Sequence, residues 1–292
     1  MIPLVLSIAC STVIMLVFKN FDRQKTPLFQ AVVFNYLVCA TIGIFYLLKS
    51  DYFENGFAFQ PWMYLAIGLG LLFVIVFYLM GYTTAKAGVS TATVAAKMAV
   101  VVPVLFSAFY LGEKLSSILI IGIALSLVAV VSVSYKKSSK KGIKAYLIPI
   151  FLVFLGSGII DSSLKYIQYS SGLSDYDMFA PTLLIFASAF VFGSLGLAIQ
   201  IISKKQAISR KGVIGGITLG IPNFFSIFFL MQALNLDTFK AGLVFPVNNV
   251  SIVFLSTLFS VILFKEKLSK TNVAGLLIAG ISIFLIAYSH VI

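Results

Sequence analysis

The sequence predicts an all-α integral membrane protein of ten transmembrane helices, arranged as two inverted five-helix repeats around a central cavity. Three observations predict it. First, 60% of the 292 residues are hydrophobic, only 10% are charged, and the mean hydropathy is +1.08. Second, the apolar residues fall into ten runs, each close to the roughly 20 helical residues that cross a ~30 Å hydrocarbon core. Third, the two halves of the chain repeat each other. A soluble domain of this size has too little interior to hide so much apolar surface. A disordered chain needs the opposite composition.

The runs are expected at 2–18, 28–48, 62–82, 89–111, 115–134, 145–165, 177–201, 212–233, 241–263 and 271–289. The first lacks a basic start, so it reads as a span and not as a cleavable signal peptide. The third ends on Tyr78 and Tyr82, one helical turn apart. The fourth carries Lys97 near its middle, and the fifth is continuous and Gly-containing from Ile118 to Val133. That continuity fits a helix, because a membrane β-barrel alternates in shorter pieces. The sixth span holds Asp161, the eighth Pro222-Asn223, and the ninth Pro246, Asn248 and Asn249. The loops between spans are short and leave no room for a soluble domain.

Residues 110–135 and 263–288 align without a gap, each containing Glu-Lys-Leu-Ser (Glu113–Ser116, Glu266–Ser269) and ending on Tyr. Lys86-Ala87-Gly88 matches Lys240-Ala241-Gly242, and Pro3, Ser11 and Lys19 match Pro149, Ser157 and Lys165. The units are therefore 1–135 and 145–292, joined by a basic linker at 136–144. Five helices is an odd number, so the second unit enters the membrane inverted. Inverted repeats characterise secondary transporters, with the substrate site near the midplane between the halves.

The formal charge is +12, from 21 Lys plus Arg against 9 Asp plus Glu. Sixteen of those basic residues fall on odd-numbered loops, four on even-numbered loops, and one, Lys97, inside a span. Cytoplasmic loops carry the excess of Lys and Arg. The rule puts odd loops in the cytoplasm and both termini outside. The charge thus sets orientation and is not a nucleic-acid patch.

The stretch Leu111-Gly112-Glu113-Lys114-Leu115-Ser116, with Pro103 before it and Gly122 after it, resembles the EamA-type branch of the drug/metabolite transporter superfamily. The ten-span count, the five-plus-five repeat and the second Glu-Lys-Leu also fit. The resemblance implies a basket of helices around a cavity lined by spans 1, 3, 4, 6, 8 and 9, with spans 5 and 10 peripheral. It implies transport of amino acids, other metabolites, sugar-linked compounds or drugs, often outward. Two departures stand out: Phe264-Lys265-Glu266 replaces Leu-Gly-Glu, and Ser256 stands where the first half has Pro103. Family members also commonly place both termini in the cytoplasm, the reverse of the charge count.

Lys97 is the sharpest candidate. A mid-span Lys costs about 2.5–3.5 kcal/mol on insertion scales and is functional by default. Thr93 and Ser90 lie on the same helical stripe, at i−4 and i−7. Together they suit a substrate carboxylate or phosphate. The plainer alternative pairs Lys97 with backbone carbonyls or with Asp161. Val250 is its mate in the ninth span, beside Asn248 and Asn249. Pro246 before them suggests an irregular, polar-lined turn, the alternative being a kink with Asn bonded to a neighbouring helix. Asn223 after Pro222 invites the same argument. Asp161 either pairs with Lys165, four residues on, or couples transport to protons. Tyr78 and Tyr82 either stack on an aromatic substrate or anchor at the interface.

Absences complete the reading. No Gly-rich Lys-Ser/Thr phosphate loop is present, so ATP hydrolysis is not expected. The single His, His290, excludes a zinc site and a Ser-His-Asp triad, and Cys10 and Cys39 read as small apolar filler. No metal, cofactor or enzyme activity is expected. The expected partners are the bilayer, a small-molecule substrate and an exchange substrate or proton. One chain already holds two repeats, so a monomer is expected. The leading reading is a secondary transporter of small polar metabolites such as amino acids or related carboxylates. A broad drug exporter and a membrane scaffold without transport are the alternatives.

Overall fold

In the computed structural model the described residues are 2–48, 60–110, 116–134, 144–171, 179–204, 207–234 and 241–289. The Leu111–Leu115 part of the first motif, most of the 136–144 linker and His290 lie outside them. The described residues form eleven helices: α1 (Ile2–Gln24), α2 (Leu28–Leu48), α3 (Trp62–Ala87), α4 (Val89–Met98), α5 (Val101–Tyr110), α6 (Ser117–Ser134), α7 (Lys144–Ser171), α8 (Phe179–Lys204), α9 (Arg210–Leu234), α10 (Ala241–Phe264) and α11 (Lys270–Ser289). Eight helical stretches, with α4 and α5 counted together, are long and apolar enough to cross a membrane; α6 and α11 are shorter apolar helices.

Helix thus underlies every apolar run, but three helices outlast theirs. α1 continues to Gln24, α3 to Ala87 and α7 to Ser171. Hydropathy marks where lipid ends, whereas a helix ends where its backbone is turned. At α1 the turn is Lys25, at φ 53°, which lets Thr26 N–H reach Phe21 O at 3.0 Å. Lys265, at φ 54°, does the same service after α10.

The run at 89–111 is not one helix. It breaks at Ala99–Val100, and the cause is Pro103. Proline has no N–H to give the carbonyl four residues back. Ala99 O instead takes a tighter bond from Val102 N–H at 2.9 Å. The expected irregular turn at Pro246 is a correction: α10 runs unbroken through it.

Close backbone approach holds the helices together, as expected where lipid supplies no hydrophobic drive between them. A Cβ on Gly70 of α3 would meet Ala189 N of α8 at 2.6 Å; one on Gly216 of α9 would meet the Phe34 backbone carbon of α2 at 2.9 Å. Many helix pairings recur when the halves are exchanged, although α1–α3 and α2–α3 have no comparable counterpart. α2–α9 becomes α8–α3, α1–α9 becomes α7–α3, α1–α10 becomes α7 against α4 and α5, and α4–α6 becomes α10–α11. The pairs α2–α8, α4–α10 and α6–α11 map onto themselves. α6 and α11 pack mainly on each other, with Ser282 Oγ donating to Gly122 O at 2.7 Å.

Side-chain contacts gather seven helix termini at one end. Lys211 Nζ donates to Gln24 O, Arg23 to Phe264 O, Asn272 to Val133 O, and Val89 N–H to Glu266. Gln30 bridges α2 to the residues that precede α9. This basic end collects Arg23, Lys25, Lys86, Arg210, Lys211, Lys265, Lys267 and Lys270, the residues that the sequence assigns to odd loops. The other end is aromatic: Tyr46 packs on Phe179 at 4.8 Å, and Phe106 stacks on Tyr110 at 5.1 Å.

Candidate functional site

Interior space can be traced along α7. Phe151, Leu155, Ile159 and Tyr166 form one exposed stripe, apolar and suited to lipid. Asp161 sits on the opposite side of the helix, at 100° per residue. It belongs to the interior face with Ile150, Phe154, Ser157 and Lys165. Along that face exposure rises away from the basic end. Ile150 is 2% exposed and Phe154 9%, Ser157 is half-buried, and Asp161 is exposed. An interior residue can be exposed only if the space between the helices is open there. α4 is buried from Val89 to Ala95, half-buried at Ala96 and Lys97, and buried again at Met98. The interior is therefore packed toward the basic end and locally open at Asp161 and Lys97; farther from that end Ala66, Leu69, Ile167 and Ile185 pack together again.

Lys97 and Asp161 face this space from α4 and α7. The two helices cross beside the break in the fourth run, where a Cβ on Gly158 would lie 3.1 Å from Ala99 O. Each charge is the electrostatic neighbour of the other, yet among the described residues no direct hydrogen bond or ion pair joins them. Asp161 thus has Lys97, on another helix, as an electrostatic neighbour. Two opposite charges with open space between them can each take a group of a bound solute.

The remaining polar candidates divide by location. Thr93 is fully buried on the sealed side, with Ser256 Oγ of α10 3.3 Å from its hydroxyl. Ser90 is also buried, and its hydroxyl has no hydrogen-bond partner among the described residues. Both lie on the Lys97 stripe, toward the closed end. Asn248 is buried where α1, α9 and α10 meet: Ser7 Oγ donates to Ser226 O at 2.8 Å and lies 3.4 Å from Asn248 Oδ1. Asn249 is half-buried.

Asn223 is not with Lys97. It belongs to a polar knot between α2 and α9, where its amide donates to Asn35 Oδ1 at 3.2 Å. Cys39 joins the knot by donating to Gly220 O at 3.4 Å, so it is a hydrogen-bonding residue and not mere filler. Tyr78 and Tyr82 lie apart from Lys97, on α3. With Leu71 and Ile75 they continue the exposed apolar stripe of α3, and Tyr78 meets Phe29 edge-on. Sequence reasoning missed Asn35, Ser256 and the carboxylate of Glu266. For Asn35 the available signal was a mid-span amide at the position equivalent to Ser188, which faces Gly70 in the other half.

Comparison with known proteins bears on the family and the fold. Residues 1–135 match the EamA-like transporter family. An uncharacterised protein of Haemophilus influenzae is 28% identical over 293 residues, covering 98% of this chain and 97% of its own. A crystal structure of another protein superposes with a TM-score of 0.56 at 16% identity, covering 96% of this chain and 97% of that one. The fold is therefore shared along the whole chain.

Proposed function

We infer, from the match of residues 1–135 to the EamA-like transporter family, that the whole chain is a secondary transporter of small polar metabolites such as amino acids or related carboxylates. On this reading all ten apolar runs cross the bilayer, and 1–135 and 145–292 are inverted repeats that work by alternating access. The recurrence of many helix pairings between the halves supports it. The basic end faces the cytoplasm, in keeping with the excess of Lys and Arg there. Family precedent favours outward transport.

The observation that carries the substrate class is the pair of charges in the open interior. A cation held near mid-membrane is expensive unless it lines water or meets an anion. Lys97 is half-buried and has no hydrogen bond or ion pair among the described residues, so a substrate carboxylate is its natural complement. Asn249, half-buried, lies two turns from Ser256 on the same stripe of α10, and Ser90 offers, on the Lys97 stripe, a hydroxyl unpaired among the described residues. Asp161 either receives a proton or meets a positive group of the solute. A broad exporter of lipophilic cations would gain nothing from Lys97. A scaffold would have no use for charges in an open interior.

Flux measurements on the purified protein in proteoliposomes test the proposal. Wild type is expected to move at least one carboxylate-bearing metabolite, and Lys97→Ala to lose it. Undiminished transport of an anionic substrate by Lys97→Ala would refute the role of Lys97.

A further inference from the structure

The closed end of the interior is fastened in an unusual way. Glu266, in the short link between α10 and α11, places its carboxylate on the N-terminus of α4. Val89 N–H donates to Glu266 Oε2 at 3.3 Å. The first N–H groups of a helix have no partner within it and carry the positive end of its dipole, so a carboxylate suits them. Gly88 makes room. It sits at φ 108°, and a Cβ there would overlap Glu266 Oε1. The repeat thus places a motif Glu of the second half on the Lys-Ala-Gly turn of the first.

The link is itself braced. α10 is stopped by the left-handed Lys265, after which Glu266 N–H turns back toward Ser260 O at 3.4 Å. Arg23 of α1 donates to Phe264 O at 3.3 Å and stands 4.7 Å over the Phe264 ring. Immediately inside this joint the α4–α10 contact is sealed. Ser256 touches Thr93, and Ser260, one turn nearer the joint, is fully buried. Farther from the joint, Lys97 is half-buried and Asp161 exposed. A joint that fastens the two halves at a sealed end is where an alternating-access carrier has to part.

We propose that Glu266 is the latch of the basic end, holding the helix that carries Lys97 against the second half while that end is closed, and withdrawing before it opens. The proposal rests on the transporter reading above. It assigns Glu266 a positioning role, since the carboxylate acts through α4.

The test uses the full chain in proteoliposomes of defined orientation, with Cys10 and Cys39 replaced by Ser. One reporter is Ser260→Cys, inside the latch; the other is Ser157→Cys, on the open interior face of α7. A membrane-impermeant maleimide is applied from each side. Glu266→Gln keeps the shape and removes the charge, and Gly88→Ala displaces the carboxylate from the other partner. Both are expected to raise Ser260→Cys labelling from the basic side about 5-fold or more, the usual lower bound of a coupling between sites. Both should lower Ser157→Cys labelling from the opposite side. The latch is overturned if neither reporter responds in a variant that still melts cooperatively. It is also overturned if both reporters gain labelling together, which is loosening of the fold. A reciprocal shift in a protein that moves no solute would sustain the latch and sink the transport reading; flux without a shift would do the reverse.

Discussion

Replacing Lys97 by Met removes one charge and leaves a flexible apolar chain of similar length. Lys97 makes no hydrogen bond to a described residue and its one charged neighbour, Asp161, is not in direct contact. Folding therefore loses little by the change. Binding loses more. A hydrogen bond to a charged group is worth about 1.5–3 kcal/mol net. At about 1.4 kcal/mol per decade, that is roughly a 10- to 150-fold rise in Kd for an anionic solute. The full Coulomb attraction at 4 Å, about 4 kcal/mol at an effective dielectric of 20, is an upper limit, because the half-buried side chain faces open space that admits water. Two measurements check the figure: concentration-dependent uptake into proteoliposomes, and the shift in melting temperature on adding the same solutes. Wild type should be stabilised by carboxylates and Lys97→Met should not, while their melting points without solute stay close. Equal affinity of the two proteins for an anionic solute would refute the reasoning. So would a large fall in the unliganded melting point of Lys97→Met, which would make Lys97 structural.

Other outcomes follow from the same geometry. Asp161→Asn should abolish the response of uptake to an imposed pH gradient while solute exchange continues; an unchanged response removes Asp161 from proton coupling. Gly70→Leu and Gly216→Leu should each destabilise the protein by about 1–3 kcal/mol or more, because each new side chain meets backbone across a helix crossing and not the tip of a side chain; melting curves in detergent measure this. Tyr78→Phe and Tyr82→Phe should leave uptake within about 2-fold of wild type, as both sit on the exposed stripe of α3, surface changes there being within about ±0.5 kcal/mol. Single cysteines at Lys25, Arg210 and Lys270 should all react from one side of the membrane, and from the cytoplasmic side if the charge rule sets orientation.

The sequence makes the helices legible because lipid is a uniform solvent: every run of apolar residues must be helical to satisfy its backbone. It also makes the basic end legible, because Arg23, Lys86, Arg210 and Lys270 obey one rule about one side. It does not reveal which face of a helix meets lipid, since Leu and Phe serve both faces. Tyr78 could therefore pass for a cavity residue when it belongs to an exposed stripe. Proline misled in a similar way. Pro103 and Pro246 each remove one donor, but only at Pro103 is the freed carbonyl, Ala99 O, answered by a tighter turn beside Gly158. The Glu266 motif was visible as a repeat, and its use was not, because its partner Val89 is 177 residues away.

The break between α4 and α5 has no counterpart in the unbroken α10, so the two halves are unequal in stiffness. For the alternating-access carrier proposed above, this asymmetry predicts inward and outward poses of unequal free energy, with the empty protein resting mainly in one. Its slow step should then be the return of the empty protein and not the passage of the loaded one. Such a carrier runs faster when solute waits on both sides than when it waits on one.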